Sequence, residues 1–437
     1  MNDEGDMLFQ VLHEWAIHMS MAIPKVLTQD FLYNLPTERI AQHPLEQRDD
    51  SKLLVVDLES GKRSDHCFRE LTDQIPAGSL LILNDSRVLP ARLPVFKATG
   101  GGAEIFLIDP LSPYLDPAQT LRLGSPARWN ALFGGKRIQA GDVLRSADKK
   151  LEARVLEKSG AQGQVELHWH PETTSLADIL EEIGKIPLPP YMKREASPSD
   201  QERYQTVYAA QAGSVAAPTA GLHFTPEVLA RLEKKGVRIA RLTLHVGAGT
   251  FKPVEAATVD AHAMHRERFE VSCEFLQTLA AHFEARERGD SYAGPVIAVG
   301  TTSLRALESI YWLALMRFSA NPETQSMTDL PQWLAYDQQA TDLALRVSPA
   351  QALARLRDDL VQQRLPRLIA SSALMIVPGY PFQTIDRLLT NFHQPGSSLM
   401  LLVAAWAGEG WRKIYDHALR SDYRFLSYGD SSLLVRR

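Results

Sequence analysis

The residues best suited to chemistry crowd into one stretch, from Ala216 to Glu267. It holds Ala217-Pro-Thr-Ala-Gly-Leu-His-Phe-Thr225, then Leu244-His-Val-Gly-Ala-Gly-Thr-Phe251, then His262, His265 and Glu267, and so four of the 13 histidines. Imidazole changes charge near neutral pH, so His223 and His245, set beside glycines at element boundaries, are candidates for proton transfer. A lone histidine is more often a satisfied core residue, and two beside Gly-rich turns shift that balance. Glu267 adds a carboxylate able to orient an imidazole and raise its basicity. Gly247, Gly249 and Thr250 follow a predicted strand, where backbone amides can approach a ligand; the plainer reading is a tight turn. The pattern is not GxGxxG, and Phe251-Lys-Pro253 stops a helix from starting, which argues against a dinucleotide site. His262 and His265 share a helical face but lack the HExxH pattern and any further ligand set, so no metal is expected.

Three other segments concentrate polar donors in turns. Asn84-Asp-Ser-Arg-Val-Leu-Pro-Ala-Arg92 follows a strand, and Gly300-Thr-Thr-Ser-Leu-Arg305 sits where a strand becomes a helix. There the amides and hydroxyls suit an anion or a polar ligand. Thr390-Asn-Phe-His-Gln-Pro-Gly-Ser-Ser398 precedes an apolar helix and offers Asn391 and His393 to a cleft. Each alone is equally a capped turn. Several together at strand ends are what a site at the edge of an α/β sheet looks like.

The elements that must position these residues fall into two textures. Leu53–Asp57 and Leu80–Leu83 read as buried strands. From 88 to 185, short alternating pieces (Glu104–Ile108, Leu151–Leu156, Gln164–Trp169) between Gly-rich turns predict a small β-barrel or sandwich. After 186, helix and strand alternate: a helix over Pro226–Lys235 capped by Thr225, a strand over Val237–Val246, a helix over Glu274–Arg286, a strand over Pro295–Val299, a helix from Leu304 and a strand over Leu374–Val377. The expected fold class is therefore α/β, a layered main domain (25–87 and 186–437) interrupted by an inserted all-β, barrel-like domain (88–185). Residues 1–24 read as an extension, and 318–345 as a polar surface excursion.

Composition bounds the classes. The 437 residues are 45% hydrophobic and 23% charged, ordinary for a folded soluble protein. Two distant cysteines, Cys67 and Cys273, argue against a disulfide framework and a zinc-thiolate site, and fit a reducing compartment. The N-terminus is acidic where a secretory signal is expected to be basic, and Leu399–Ala407 is about half the ~20 residues of a membrane span. A cytoplasmic location and no membrane partner are expected. A net charge of -5 is low for a non-specific nucleic-acid binder, although a local patch can suffice. Lys185, Lys193, Arg194 and Arg203, with Tyr191 and Tyr204 between them, are one such candidate, read more simply as a solvated loop.

In order along the chain, these segments resemble the S-adenosylmethionine:tRNA ribosyltransferase-isomerase family of queuosine biosynthesis. The likeness runs from Leu35-Pro-Thr-Glu-Arg-Ile-Ala-Gln-His-Pro44 to Tyr428-Gly-Asp430, through Leu81–Leu93, Ile186–Tyr191 and Tyr204–Ala209. Its strongest parts are Ala217–Thr225, His245–Phe251, Gly300–Arg305 and Thr390–His393. The chain departs from the family pattern at Ser79, where an acidic residue is usual, and at Gln394-Pro-Gly396, where Leu-Pro-Lys is commoner. The extension and the stretch 310–368 exceed the family pattern.

The resemblance implies transfer of the ribosyl part of S-adenosylmethionine to 7-aminomethyl-7-deazaguanine at the wobble position of a tRNA anticodon loop. Epoxyqueuosine forms while adenine and methionine leave. S-adenosylmethionine is then a substrate, with no separate cofactor and no metal, and a monomer is expected. The sulfonium acidifies the adjacent ribose carbon, and loss of adenine is eased by an acid. On this reading His223, His245 and Glu267 move or orient protons. Gly247, Gly249 and Thr250 meet the donor. Arg305, Asn391, His393, Arg92 and Tyr191 bind substrate, with Tyr191 or Tyr204 available for stacking. An inactive tRNA-binding relative is the alternative, and a methyltransferase using the same donor a third; release of adenine separates all three.

Overall fold

The structure is a computed structural model that describes residues 23–114, 116–247 and 254–436. The expected extension, up to residue 22, and Gly249 and Thr250 lie outside the described residues. Eighteen strands follow in chain order: β1 (Lys52–Asp57), β2 (Arg63–Cys67), β3 (Leu80–Asn84), β4 (Ser86–Val88), β5 (Arg92–Lys97), β6 (Gly102–Ser112), β7 (Ala127–Gly134), β8 (Val143–Arg145), β9 (Leu151–Ser159), β10 (Gln162–Trp169), β11 (Gln211–Ser214), β12 (Arg238–His245), β13 (Glu267–Ser272), β14 (Val296–Val299), β15 (Asp329–Leu330), β16 (Arg367–Ser372), β17 (Arg387–Asn391) and β18 (Ser431–Val435). The helices that matter here are α1 (Pro226–Lys234), α2 (Cys273–Glu287), α3 (Thr301–Met316), α4 (Gln338–Ala344), α5 (Pro349–Gln362), α6 (Ser398–Ala407) and α7 (Trp411–Arg420).

Ten strands form one mixed sheet in the order β15-β16-β13-β12-β3-β14-β17-β18-β1-β2. Its centre is parallel, β12 to β3 to β14 to β17, and covered on both sides, which is why β3 (Leu-Leu-Ile-Leu-Asn) and β14 (Val-Ile-Ala-Val) are buried along their whole length. Side-chain alternation sorts each strand between two cores. Leu80 and Ile82, like Val296 and Ala298, join the large core. Leu81 and Leu83, like Ile297 and Val299, join a smaller one with Phe68, Phe224 and Val228.

The chain leaves the sheet after β3 and returns at β12, and the short strands that flank the excursion, β4 and β11, pair in parallel as a separate clasp. Between them β10-β7-β6-β5-β8-β9 close into a barrel with its own core, including Trp129 and Trp169. The fold class is thus α/β with an inserted closed barrel.

Three expectations need correction. Leu374–Val377 is buried but not a strand: the strand is β16, after which the Ser372 hydroxyl takes the Leu374 N–H (3.0 Å) and the path turns irregular. A short apolar run does not by itself separate a strand from a buried coil. The stretch 318–345 is not a surface excursion, because β15 extends the sheet edge and Leu330, Leu334, Ala335 and Ala340 enter the core. Tyr204 is fully buried against Tyr428, so its ring is no platform for a base. Among the described residues no helix is long and apolar enough to cross a membrane.

Candidate active site

A cavity with about 690 Å³ of empty volume, partly open to solvent, lies at the ends of β12, β14 and β17. Its walls include Val246 after β12, Gly300, Thr301 and Thr302 after β14, and Thr390, Asn391 and His393 at and beyond the end of β17. Pro218 and Thr219 come from the turn after β11, and Tyr191, Leu426 and Ser427 complete it. Among the described residues, no Asp, Glu, Lys or Arg is part of these walls.

Two long helices begin there. α3 starts at once after Gly300, whose φ of 91° turns the chain from strand into helix in a region that favours glycine. α6 is capped by Ser397, whose hydroxyl oxygen accepts from the Met400 N–H (3.2 Å). Their first-turn amides bring partial positive charge to walls that hold no charged side chain among the described residues, which suits an anionic or electron-rich group. Thr302 Oγ1 and Asn391 Oδ1 are buried without a hydrogen-bond partner among the described residues, and both residues line the cavity. Such atoms cost stability unless something pairs with them.

Asn391 is fixed from behind. Its Nδ2 donates to Leu426 O (3.0 Å), and Leu426 is turned to present that carbonyl by a left-handed backbone (φ 68°), uncommon for a bulky residue. The same Nδ2 approaches His223 Nε2 at 3.4 Å, while His223 Nδ1 lies 2.9 Å from Ser51 Oγ. An amide N–H facing Nε2 makes that nitrogen the acceptor, so the proton sits on Nδ1 and is donated to Ser51. Burial, with Arg424 and Arg48 nearby, pushes the His223 pKa down to about 3, so the ring is neutral. His393 is likewise neutral, its pKa pushed to about 3 by burial, with Nε2 at 2.9 Å from Thr390 Oγ1.

Strand parity divides the remaining candidates. β12 and β13 are antiparallel with Leu244 opposite Phe269 and His245 opposite Arg268. Continuing that register brings Glu267 level with Val246, on the helix-covered face that bounds the cavity. There Glu267 forms an ion pair with Arg305 of α3, and its other oxygen lies 3.4 Å from His265 Nε2. His245 points to the opposite face, 3.9 Å from Glu270, in a cluster with Arg268, Arg367 and Asp116 of the inserted segment. Burial first, then Arg268, lowers its pKa to about 4. Its ring rests against Gly213, where a Cβ would fall 2.6 Å from the imidazole.

The structure therefore brings Tyr191, Asn391 and His393 to one cavity, with His223 behind Asn391 and Gly247 next to Val246. It joins Glu267 to Arg305 and leaves His245 on the other face. Arg92 starts barrel strand β5, paired with Glu104 (3.1 Å), and is not part of the cavity wall. The basic patch is partly neutralised, Lys185 by Glu195 and Arg194 by Asp200. Sequence reasoning singled out the segments that hold Thr219 and Ser397 without naming either as a site residue, and passed over Ser427; Ser397 carried a local signal, as the cap of an apolar helix.

The profile of a family described as queuosine biosynthesis protein matches residues 28–434. The chain belongs to that family. Among its curated relatives, a protein of Trichlorobacter lovleyi is 38% identical over 412 residues, covering 94% of this chain and all of its own length. One of Aromatoleum aromaticum is 40% identical over 409 residues, covering 93% and 97%. Both carry the name S-adenosylmethionine:tRNA ribosyltransferase-isomerase. A solved S-adenosylmethionine tRNA ribosyltransferase from Thermotoga maritima is 28% identical, covers 93% of this chain and 100% of its own, and superposes with a TM-score of 0.43.

Proposed function

We propose that this enzyme transfers and isomerises the ribosyl group of S-adenosylmethionine onto the aminomethyl nitrogen of 7-aminomethyl-7-deazaguanine at the tRNA wobble position. Epoxyqueuosine-tRNA is formed, and adenine and methionine are released. The names of the full-length relatives support the reaction, and the observation that carries it on the chain itself is the buried Asn391 Oδ1, without a partner among the described residues, in a cavity whose described walls hold no carboxylate. An incoming amine must be neutral to attack. A neutral amide oxygen can accept its N–H and leave the lone pair free, whereas a carboxylate would favour the ammonium form.

His223, engaged at both ring nitrogens and held neutral, we assign to orienting Asn391 instead of carrying protons. Glu267 is not one of the cavity's walls, but it shares the face of Val246, which is, and we assign its carboxylate, paired with Arg305, as the acceptor of the proton beside the sulfonium. The two helix N-termini and Thr302 Oγ1 suit the donor's carboxylate or ribose oxygens. The wobble base lies in a single-stranded loop, so it enters without opening a duplex, and Tyr191 is the aromatic ring at the cavity wall.

The test is a chromatographic product assay with S-adenosylmethionine and tRNA bearing the aminomethyl-deazaguanine base. Adenine and methionine are expected together, only with that tRNA, and Asn391→Ala is expected to slow their release. An intact donor with tRNA bound identifies a binding relative, and S-adenosylhomocysteine as product identifies a methyltransferase; either refutes the assignment.

A further inference from the structure

Behind His223, on the far side from the cavity, lies a second and smaller crevice, with about 280 Å³ of empty space counting its opening to solvent. Arg48, Arg203 and Arg424 all line it, together with Ser51, His223 and Tyr428, and among the described residues no Asp or Glu does. Arg424 is paired with Asp430 (3.2 Å). Arg48 and Arg203 form no ion pair among the described residues, and their N–H groups go to main-chain carbonyls. Arg48 donates to Gln205 O (2.7 Å) and Glu202 O (2.9 Å), and Arg203 to Leu45 O (2.6 Å) and Glu46 O (3.1 Å). Stapling loops to one another needs donors, not three charges in one place. Arg203 Nε is buried and donates to nothing among the described residues. Since His223 Nδ1 donates to Ser51 Oγ, the Ser51 hydroxyl proton is also free to donate. Burial first, then Arg203, holds Arg48 below the usual guanidinium range, against smaller opposing pulls from Tyr428 and Glu202.

We propose that this crevice binds a backbone phosphodiester of the RNA substrate, next to the nucleotide whose base occupies the cavity. Guanidinium forks and hydroxyls match the oxygens of a phosphate. The zwitterionic head of an amino acid would also need an acceptor for its ammonium. Nearby Asp430 and Asp200 are already taken by Arg424 and Arg194. The crevice and the cavity share Ser427, and one chain of donors joins them: Asn391 Nδ2 to His223 Nε2, then His223 Nδ1 to Ser51, then Ser51 to the phosphate. An occupied crevice thereby holds Asn391 in the orientation that points Oδ1 into the cavity.

The inference rests on the proposed function only for the identity of the RNA, so it is read by binding instead of turnover. Binding of a tRNA anticodon stem-loop to the full chain is measured across a salt series, with inorganic phosphate as competitor, for wild type, Arg203→Met, Arg203→Lys and Ser51→Ala. S-adenosylmethionine binding is measured in parallel. Arg203→Met is expected to weaken RNA binding about tenfold, the loss of one charge-assisted contact, and to reduce the log–log salt slope by about 1. Arg203→Lys is expected to keep the slope. Ser51→Ala, a small change should Arg203→Met fail to fold, is expected to weaken RNA binding without changing the slope, leaving donor binding intact. RNA affinity and slope unchanged in both Arg203→Met and Ser51→Ala overturn the proposal, as does a loss confined to S-adenosylmethionine. Failure of adenine release with this binding pattern intact overturns only the reaction.

Discussion

Replacing Arg305 by Met tests the arrangement at its most costly point. The guanidinium and the Glu267 carboxylate are 6% and 1% exposed, so neither is solvated by water. Removing one partner of such a pair leaves an uncompensated buried charge, at a cost of about 3–5 kcal/mol. Against a total stability of about 5–15 kcal/mol, that is a large share. Urea unfolding followed by tryptophan fluorescence reads it, since Trp312 is buried on the same helix. Replacing both residues, as Glu267→Leu with Arg305→Met, exchanges the pair for apolar contacts and is expected to recover most of the loss, to within about 1 kcal/mol of wild type. Turnover by the folded protein separates structure from chemistry: with Glu267 as proton acceptor, Glu267→Gln lowers kcat far more than it changes KM. A single-variant loss below about 1 kcal/mol would refute the buried-pair reasoning. A double variant as unstable as the sum of its parts would do the same.

Two further outcomes follow from groups at the cavity. Thr302→Val keeps the shape but removes a buried hydroxyl without a partner, so stability is expected to hold or rise by up to about 1 kcal/mol while KM for S-adenosylmethionine rises several-fold; a loss of stability would show that the hydroxyl pairs within the protein. His393 is neutral in the folded state, its pKa at about 3 against an ordinary 6.5. The unfolded chain therefore takes up the proton first as pH falls, and the stability due to this depressed pKa is complete above about 6.5 and lost from there toward 3. Once the unfolded histidine is protonated the slope reaches about 1.4 kcal/mol per pH unit. His393→Gln is expected to flatten unfolding midpoints by that one-proton share below pH 6.5, and an unchanged slope would place a charge on the ring.

How much of this was legible in the sequence depended on how local the cause was. β3 and β14 could be read because burial on both faces leaves an uninterrupted apolar run, and α1 because Thr225 and Pro226 mark its start within one turn. The barrel showed through short alternating strands, each a property of its own residues. Leu374–Val377 failed because an apolar run reports burial without reporting pairing. The site residues were found mostly as segments, and the segments hid their geometry. His245 and Glu267 both flank strand ends, yet period-2 alternation sends one to the barrel side and the other toward α3, and only the register of β12 against β13 decides which. The Asn391–His223–Ser51 chain spans separations of 168 and 172 residues, and the two unpaired arginines are 155 positions apart, so no spacing rule could have collected them. Such residues become visible only when the sheet order places the end of β17 beside the turn before α1. The same reasoning makes the unpartnered Asn391 Oδ1 more telling than any histidine: the fold spends Leu426, His223 and a strained backbone on one amide, and the oxygen it leaves unpaired faces the place where a substrate amine would be.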